Sequence, residues 1–410
     1  MTHDPASARG APADRHSLIR ARIAVCLVFL GNGLGVANLM PRYPEIVAHL
    51  DLTKAAFGQA VAAASVGALL AGLAASRFIT RYTSARVASL GMLLVAASLI
   101  GAAGAQSWAV LAACMLIMGG TDAVVDVAQN AHGLRIQRRW GSSIVTSFHA
   151  AWSLGAVLGA VAGQAMAGAG VGLVTHMLIT AMVLLAVCVG PLALGWFLPG
   201  DDSLDRPESV EPLGSPSAPT WRGPARPRLV TAGLLGVVGL LCAAAMFPED
   251  IAHNWSSLLL ADQGARASQV GLGVVALQGV MILGRLVGDR VIDAVGARAV
   301  IAGGGVLVTA GMGIALLASS VPGTLVGMAI SGLGCAVAVP VTYSAADDVE
   351  GLPPGLGLTI VSWLARLAGL IAPPIVGWLS DAHGQWVALA YGLLGGVILA
   401  TCWPVLRRRA

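Results

Sequence analysis

The stretch Gly284-Arg-Leu-Val-Gly-Asp-Arg-Val-Ile-Asp-Ala-Val-Gly-Ala-Arg298 sets five charges between two long apolar runs. Charge is costly in a bilayer, so the segment reads as the end of one membrane helix and the start of the next. A helix of about 20 apolar residues crosses a hydrocarbon core of ~30 Å, and the runs on either side have that length. The whole chain agrees: of 410 residues 57% are hydrophobic and 11% charged, where a soluble domain carries about 25% charged. The 53 glycines suit helices packed closely within a membrane. These features exclude a soluble enzyme and define a polytopic membrane protein.

Twelve such runs succeed one another, at roughly 22–46, 55–77, 86–105, 109–131, 147–168 and 175–198, then 231–258, 268–290, 299–319, 323–345, 357–379 and 386–406. Between the sixth and seventh, residues 199–228 hold seven prolines and a cluster of acids, which cannot pack a core. The expected domains are a disordered cytoplasmic N-tail (1–21), a six-helix bundle (22–198), a cytoplasmic linker (199–230), a second six-helix bundle (231–406) and a C-tail (407–410). The six cysteines fall in different apolar runs without metal-ligand or CxxC spacing, and read as packing residues.

Orientation is set by the basic residues. With both termini inside, twenty of the 24 Lys and Arg lie on cytoplasmic segments. Arg42, Lys54 and Arg266 fall outside, and Arg366 stays within a span. A multi-pass plasma-membrane protein with both termini cytoplasmic is expected. The net charge of +4 reflects this topology and implies no nucleic-acid partner.

The halves repeat. An offset of 213 residues lays Gly58 on Gly271, Val61 on Val274, Ala63 on Ala276, Arg77 on Arg290, Ile79 on Ile292 and Val87 on Val300. Internal repeats are how many secondary transporters are built. Asp293, Gly296 and Arg298, with Asp289 and Arg290 one turn earlier, match the loop signature of the major facilitator superfamily, which the chain resembles along its length. The resemblance implies a 12-helix all-α integral membrane fold in two pseudo-symmetric six-helix bundles. It also implies that this loop is a cytoplasmic latch, its acid capping a neighbouring helix N-terminus. The first-half copy, Ser76–Arg86, keeps Arg77 but has Thr80 and Thr83 where the family has Asp and Gly. Asp126–Asn130, Ser147–Ser153, and Glu249 with Asn254–Ser256 are similar to the branch near the fucose-permease-type sugar porters. Asp250 and Asn254 there replace a glycine and an aspartate.

Polar residues within spans are functional candidates. Asp122 and Glu249 are expected to carry protons, Asp122 near midplane. Asp126, one turn nearer the cytoplasm, is either a third proton site or a clamp for Arg77, Arg81 or Arg135. Arg366 needs an anion, from the protein or from a substrate. Asn32, Asn38, Arg42, Asn130, His149, Trp152, Asp250, Asn254, Gln278 and Trp363 complete the expected solute-binding set, each with a packing or hydrogen-bonding role as its alternative. Gly155, Gly159 and Gly163 are expected helix contacts, as are Gly369, Pro373, Pro374 and Gly377. There is no GxxxxGK[ST] stretch for ATP and no catalytic or metal-ligand spacing. The reading is a non-enzymatic, monomeric secondary transporter of a small solute, without cofactor and driven by a proton gradient. Import, as for a sugar symporter, and export both remain open, and a permease-like sensor is the alternative from another class.

Overall fold

The computed structural model describes residues 15–141, 144–199, 228–347, 349, 352 and 356–405. The expected C-tail and nearly all of the expected linker lie outside them, as do residues 1–14 of the expected N-tail; residues 15–21, expected to be disordered, instead form the start of the first helix, with Ala21 buried. The described residues are helical, without strands. Ten helices are long and apolar enough to cross a membrane: α1 (Arg15–His49), α2 (Lys54–Gly72), α3 (Ser84–Ala103), α4 (Trp108–Trp140), α5 (Ser147–Gly168), α6 (Leu173–Ala193), α7 (Val230–Asp262), α9 (Ala297–Ala318), α10 (Val321–Ala346) and α11 (Thr359–His383). The apolar stretches of α8 (Leu272–Val295) and α12 (Trp386–Cys402) are shorter, and they complete the expected twelve. A short helix, Ala75–Tyr82, joins α2 to α3.

Local sequence explains most boundaries. Ser107, Thr53 and Ser320 each cap a helix through the side-chain oxygen. Pro41 and Pro44 narrow α1 into a 3₁₀ turn at Met40–Arg42. Pro248 in α7 precedes a π-turn at Ile251–Trp255. Helix α4 runs nine residues beyond the expected end at 131, because its last turns leave the apolar zone as an amphipathic, arginine-bearing extension stopped by Gly141 at φ +80°.

Contacts repeat between halves. Within the first, α1 packs on α5, α2 and α3 on α4, and α3 on α6; within the second, α7 packs on α11, α8 and α9 on α10, and α9 on α12. The halves meet along two seams, α2 with α11 and α5 with α8. The 213-residue offset holds at these seams in three dimensions. A Cβ on Gly58 would strike the Pro373 carbonyl, and one on Gly271 would meet the Ala160 carbonyl; the offset carries Gly58 onto Gly271 and Ala160 onto Pro373. Gly377 likewise abuts Lys54, whereas Gly369 has open space at its Cβ and offers its carbonyl to Ser65 instead.

The arginine-rich ends of the helices form one face of the molecule. On the opposite face the seams are tight. Tyr43, Phe57 and Trp255, all buried, make successive edge-on ring contacts that join α1 and α2 to α7. Asp381 of α11 binds the start of α2, and Lys54 Nζ pairs with Asp262 at 3.0 Å. Beyond Ser65, α2 turns apolar side chains outward, with Leu70 65% and Leu73 71% exposed. The halves are thus fastened at the opposite face, and the last of the α2–α11 contacts named above, toward the arginine-rich face, is Ser65 with Gly369.

Candidate solute and coupling site

In the first half, the polar side chains of α1, α4 and α5 converge on Asn32. Its Nδ2 donates to Asp122 Oδ1 at 2.6 Å, and its Oδ1 accepts from Trp152 Nε1 at 2.7 Å. An indole nitrogen only donates, so Trp152 fixes the amide orientation and aims Asn32 Nδ2 at the carboxylate. The approach of α5 to α1 depends on Gly155, Gly159 and Gly163, where any Cβ would strike the carbonyls of Leu30, Leu34 and Asn38.

In the second half, Gln278 of α8 plays the same organising part. It is fully buried, and its Nε2 donates to Glu249 Oε1 at 2.9 Å and faces His253 Nε2 at 3.0 Å. A donor pointing at both groups requires an ionised or accepting Glu249 oxygen and an unprotonated His253 Nε2. Gln278 Oε1 then has no partner. If Glu249 takes a proton and His253 moves its own to Nε2, the stable arrangement is the flipped amide, with Oε1 accepting from both. Glu249 and His253 share one turn of α7, and the π-turn beginning at Ile251 re-aims the side chains of the next helical turn.

The two groups meet at the seam. The rings of Trp152 and His253 lie edge-on at 6.4 Å, so Asp122, Asn32, Trp152, His253, Gln278 and Glu249 form a polar chain crossing from one half to the other. Beside it, Arg285 of α8 donates to Ser153 Oγ at 3.2 Å and to the Ala336 carbonyl at 3.3 Å, where α10 breaks. Arg366 stands within electrostatic reach of Asp122 from the other half. It joins neither ion pair found among the described residues, Arg42–Glu45 and Lys54–Asp262.

Other expected residues are placed differently. Asp126 accepts from Gln129 and Asn130 of its own helix, at 3.2 and 3.0 Å. Among the described residues Asp126 makes no ion pair with Arg77, Arg81 or Arg135: Arg135 donates to the carbonyls of Leu198 and Pro199, and Arg77 and Arg81 are exposed. His149 packs edge-on against Phe29 with Asp126 and Arg285 in electrostatic reach. Asp250 accepts from Asn254 one turn on, at 2.7 Å, and its Oδ2 is buried without a partner. Trp363 is 41% exposed beside Arg366.

Asn38 and Arg42 do not join the central group. Arg42, 2% exposed, makes a two-pronged pair with Glu45, donates to the Val171 carbonyl at 2.8 Å and faces His176 Nδ1 at 3.1 Å. Arginine only donates, so His176 Nδ1 accepts and its Nε2–H donates to Asn38 Oδ1 at 2.6 Å. This closed network ties α1 to α6 near the opposite face. At the arginine-rich face Asp293 is exposed and unpaired among the described residues, Arg290 is exposed, and Arg298 donates to the Pro404 carbonyl. The side chain of Asp289 lies outside the described set. Gly296 takes φ +84°, a backbone suited to glycine.

Sequence reasoning notes His253 beside Glu249 and Asp250 in the outer half of the seventh run but gives it no role, although its spacing of four from Glu249 on a helix is a usable signal. Charge counting assigns Arg285 only to topology, and no motif marks Asp381.

Two six-helix halves, joined by two seams and bridged by a half-buried polar chain, define a membrane transporter. The profile of the Major Facilitator Superfamily matches residues 25–261 and 254–410, and the chain belongs to that superfamily. It is 26% identical over 381 residues to the uncharacterized transporter y4wD of Sinorhizobium fredii, covering 93% of this chain and 96% of that one. The nucleoside transporter NupG superposes with a TM-score of 0.68 at 14% identity, over 96% of this chain and all of that one. A bacterial homolog of the lysosomal transporter Spinster, in its inward-facing, unoccupied conformation, gives 0.71 at 11% identity, over 97% and 100%. These two likenesses bear on fold alone.

Proposed function

We propose that the protein moves a small polar solute by alternating access, coupled to protons through Asp122 and Glu249. The observation that carries this is the polar chain crossing the seam: each half contributes one membrane carboxylate, held by an amide and joined through Trp152 and His253. Rocking of the halves must separate those rings, and it changes the surroundings of both acids together. A carboxylate's proton affinity depends on its surroundings, which couples protonation to the state of the seam.

With the arginine-rich face taken as cytoplasmic, the protein is read as a plasma-membrane monomer in an inward-open form. Arg366, exposed and in neither ion pair of the described residues, offers the solute a free guanidinium, which suits a molecule bearing hydroxyl or other acceptor oxygens. The resemblance to the fucose-permease-like branch, through Asp126–Asn130, Ser147–Ser153 and Glu249 with Asn254–Ser256, supports such a solute, though Asp250 and Asn254 depart from that branch.

Uptake into proteoliposomes under an imposed pH gradient, over a panel of sugars, nucleosides and amines, tests the proposal. Net flux that tracks the proton gradient supports it, and the sign of the flux separates symport from antiport. Flux indifferent to the gradient removes proton coupling; absence of flux across the panel favours the sensor reading.

A further inference from the structure

Outside the central site, a groove opens between α1 and α5 at the arginine-rich end. It is a cavity of about 360 Å³ lined along α1 by Ile19, Ile23, Leu27 and Leu30, and by Ala151 of α5. Arg22 and Trp140 stand at its head. From Arg22 to Leu30 the apolar floor runs eight helical residues, about 12 Å at the usual rise, which is most of one leaflet of a ~30 Å core. The groove therefore has the polarity and depth of a single acyl chain whose headgroup stays at the interface.

The head of the groove specifies charge. Trp140 ends α4, where indoles mark the membrane–water boundary, and the Arg22 guanidinium lies over its ring at 4.9 Å. Stacking covers one face of the guanidinium and leaves its N–H edge outward. That edge makes one long contact, 3.4 Å to Ser147 Oγ, and Arg22 joins neither ion pair of the described residues. Arg15, Arg20 and Arg138 are exposed at the same end. A half-buried arginine with a free edge, above an apolar channel and within a cationic field, is complementary to a phosphodiester bearing net negative charge.

We propose that this groove is a binding site for an anionic phospholipid, its acyl chain along α1 and its phosphate on Arg22. The occupant bridges α1, α4 and α5, the three helices that hold Asn32, Asp122 and Trp152.

The test is native mass spectrometry of the full-length protein in detergent, titrated separately with dioleoyl-phosphatidylglycerol and dioleoyl-phosphatidylcholine. One phosphatidylglycerol is expected to stay bound under conditions that strip phosphatidylcholine. Arg22→Gln should weaken its retention roughly five-fold or more, whereas the exposed Arg138→Gln should leave it near the unsubstituted level. Leu27→Trp fills the channel while keeping Arg22, and should also release the lipid. Equal retention of the two lipids, unchanged retention in Arg22→Gln or Leu27→Trp, or an equal loss in Arg138→Gln would each overturn the proposal.

Discussion

Asp381, near the end of α11, accepts the backbone N–H of Lys54 at 2.8 Å through Oδ1 and that of Ala55 at 2.8 Å through Oδ2. An acid from one half thus caps a helix of the other. With Thr53 Oγ1 taking the N–H of Ala56, the first three free amides of α2 are satisfied.

Asp381→Ala leaves two of those amides to water and removes an anion from the helix N-terminus. A loss of about 1 kcal/mol shifts the balance between closed and open opposite faces roughly five-fold toward open. Spin labels at positions 106 and 318, exposed on that face in the two halves, should show a longer distance component that Asp381→Glu largely suppresses. An unchanged distance distribution would remove the latch role.

Asp122→Asn keeps an oxygen for Asn32 to donate to, so the fold should survive while the proton site is lost. Uptake driven by a pH gradient is expected to fall at least ten-fold, with solute exchange retained. Glu249→Gln should behave likewise. Full gradient-driven uptake in both variants would sink the coupling assignment.

Gln278→Leu strips Glu249 and His253 of their shared partner. A buried polar group without a hydrogen bond costs about 1–3 kcal/mol, so the melting temperature in detergent should drop by several degrees. Gln278→Asn keeps the amide but is one methylene too short to reach both groups. It should be the milder variant in stability while losing most of the gradient dependence of transport. If the gradient dependence stays intact, Gln278 is structural only.

Arg42→Ala leaves Glu45, the Val171 carbonyl and His176 without their common donor. Removing one partner of a buried pair costs about 3–5 kcal/mol, discounted here because Glu45 is 44% exposed. Lower stability is expected without a change in solute selectivity in whatever protein folds. A selectivity change would return Arg42 to the solute site.

Thr83 and Gly296 occupy equivalent places 213 residues apart and share a backbone, at φ +72°, ψ 150° and φ +84°, ψ 152°. That conformation is ordinary for glycine and strained for a β-branched residue. Thr83→Gly should raise stability by about 1 kcal/mol and Gly296→Ala should lower it by about 1–3 kcal/mol, read by thermal unfolding in detergent.

The sequence carries the helix number, the central break and the repeat, because bilayer thickness and apolar length are both local quantities. It carries Asp122, Glu249, Asn32 and Trp152 for a similar reason: a polar side chain in an apolar run stands out. What it does not carry is partnership. Asn38 and Arg42 look as functional as Asn32 in a string of letters, and only the packing of α1 on α6 through His176 separates them. Asp293 shows the same limit from the other side. Its motif names a latch, but whether a latch is engaged depends on the state of the molecule, and here the engaged acid is Asp381 on the opposite face. Arg285 reads as a topology marker because charge counting cannot see that its guanidinium reaches Ser153 across the seam.

The reciprocal seam contacts at Gly58–Pro373 and Gly271–Ala160 are alike, but the ends of the two seams are not. The offset that places Asp381 against Ala55 places Gly168 against Ser268, where the contact is bare van der Waals. The α5–α8 seam has its hydrogen-bonded tie deeper in, from Arg285 to Ser153, so only its outer end is held by packing alone. At the opposite face that outer end is expected to part first, with the α2–α11 end holding until the Asp381 clasp gives way.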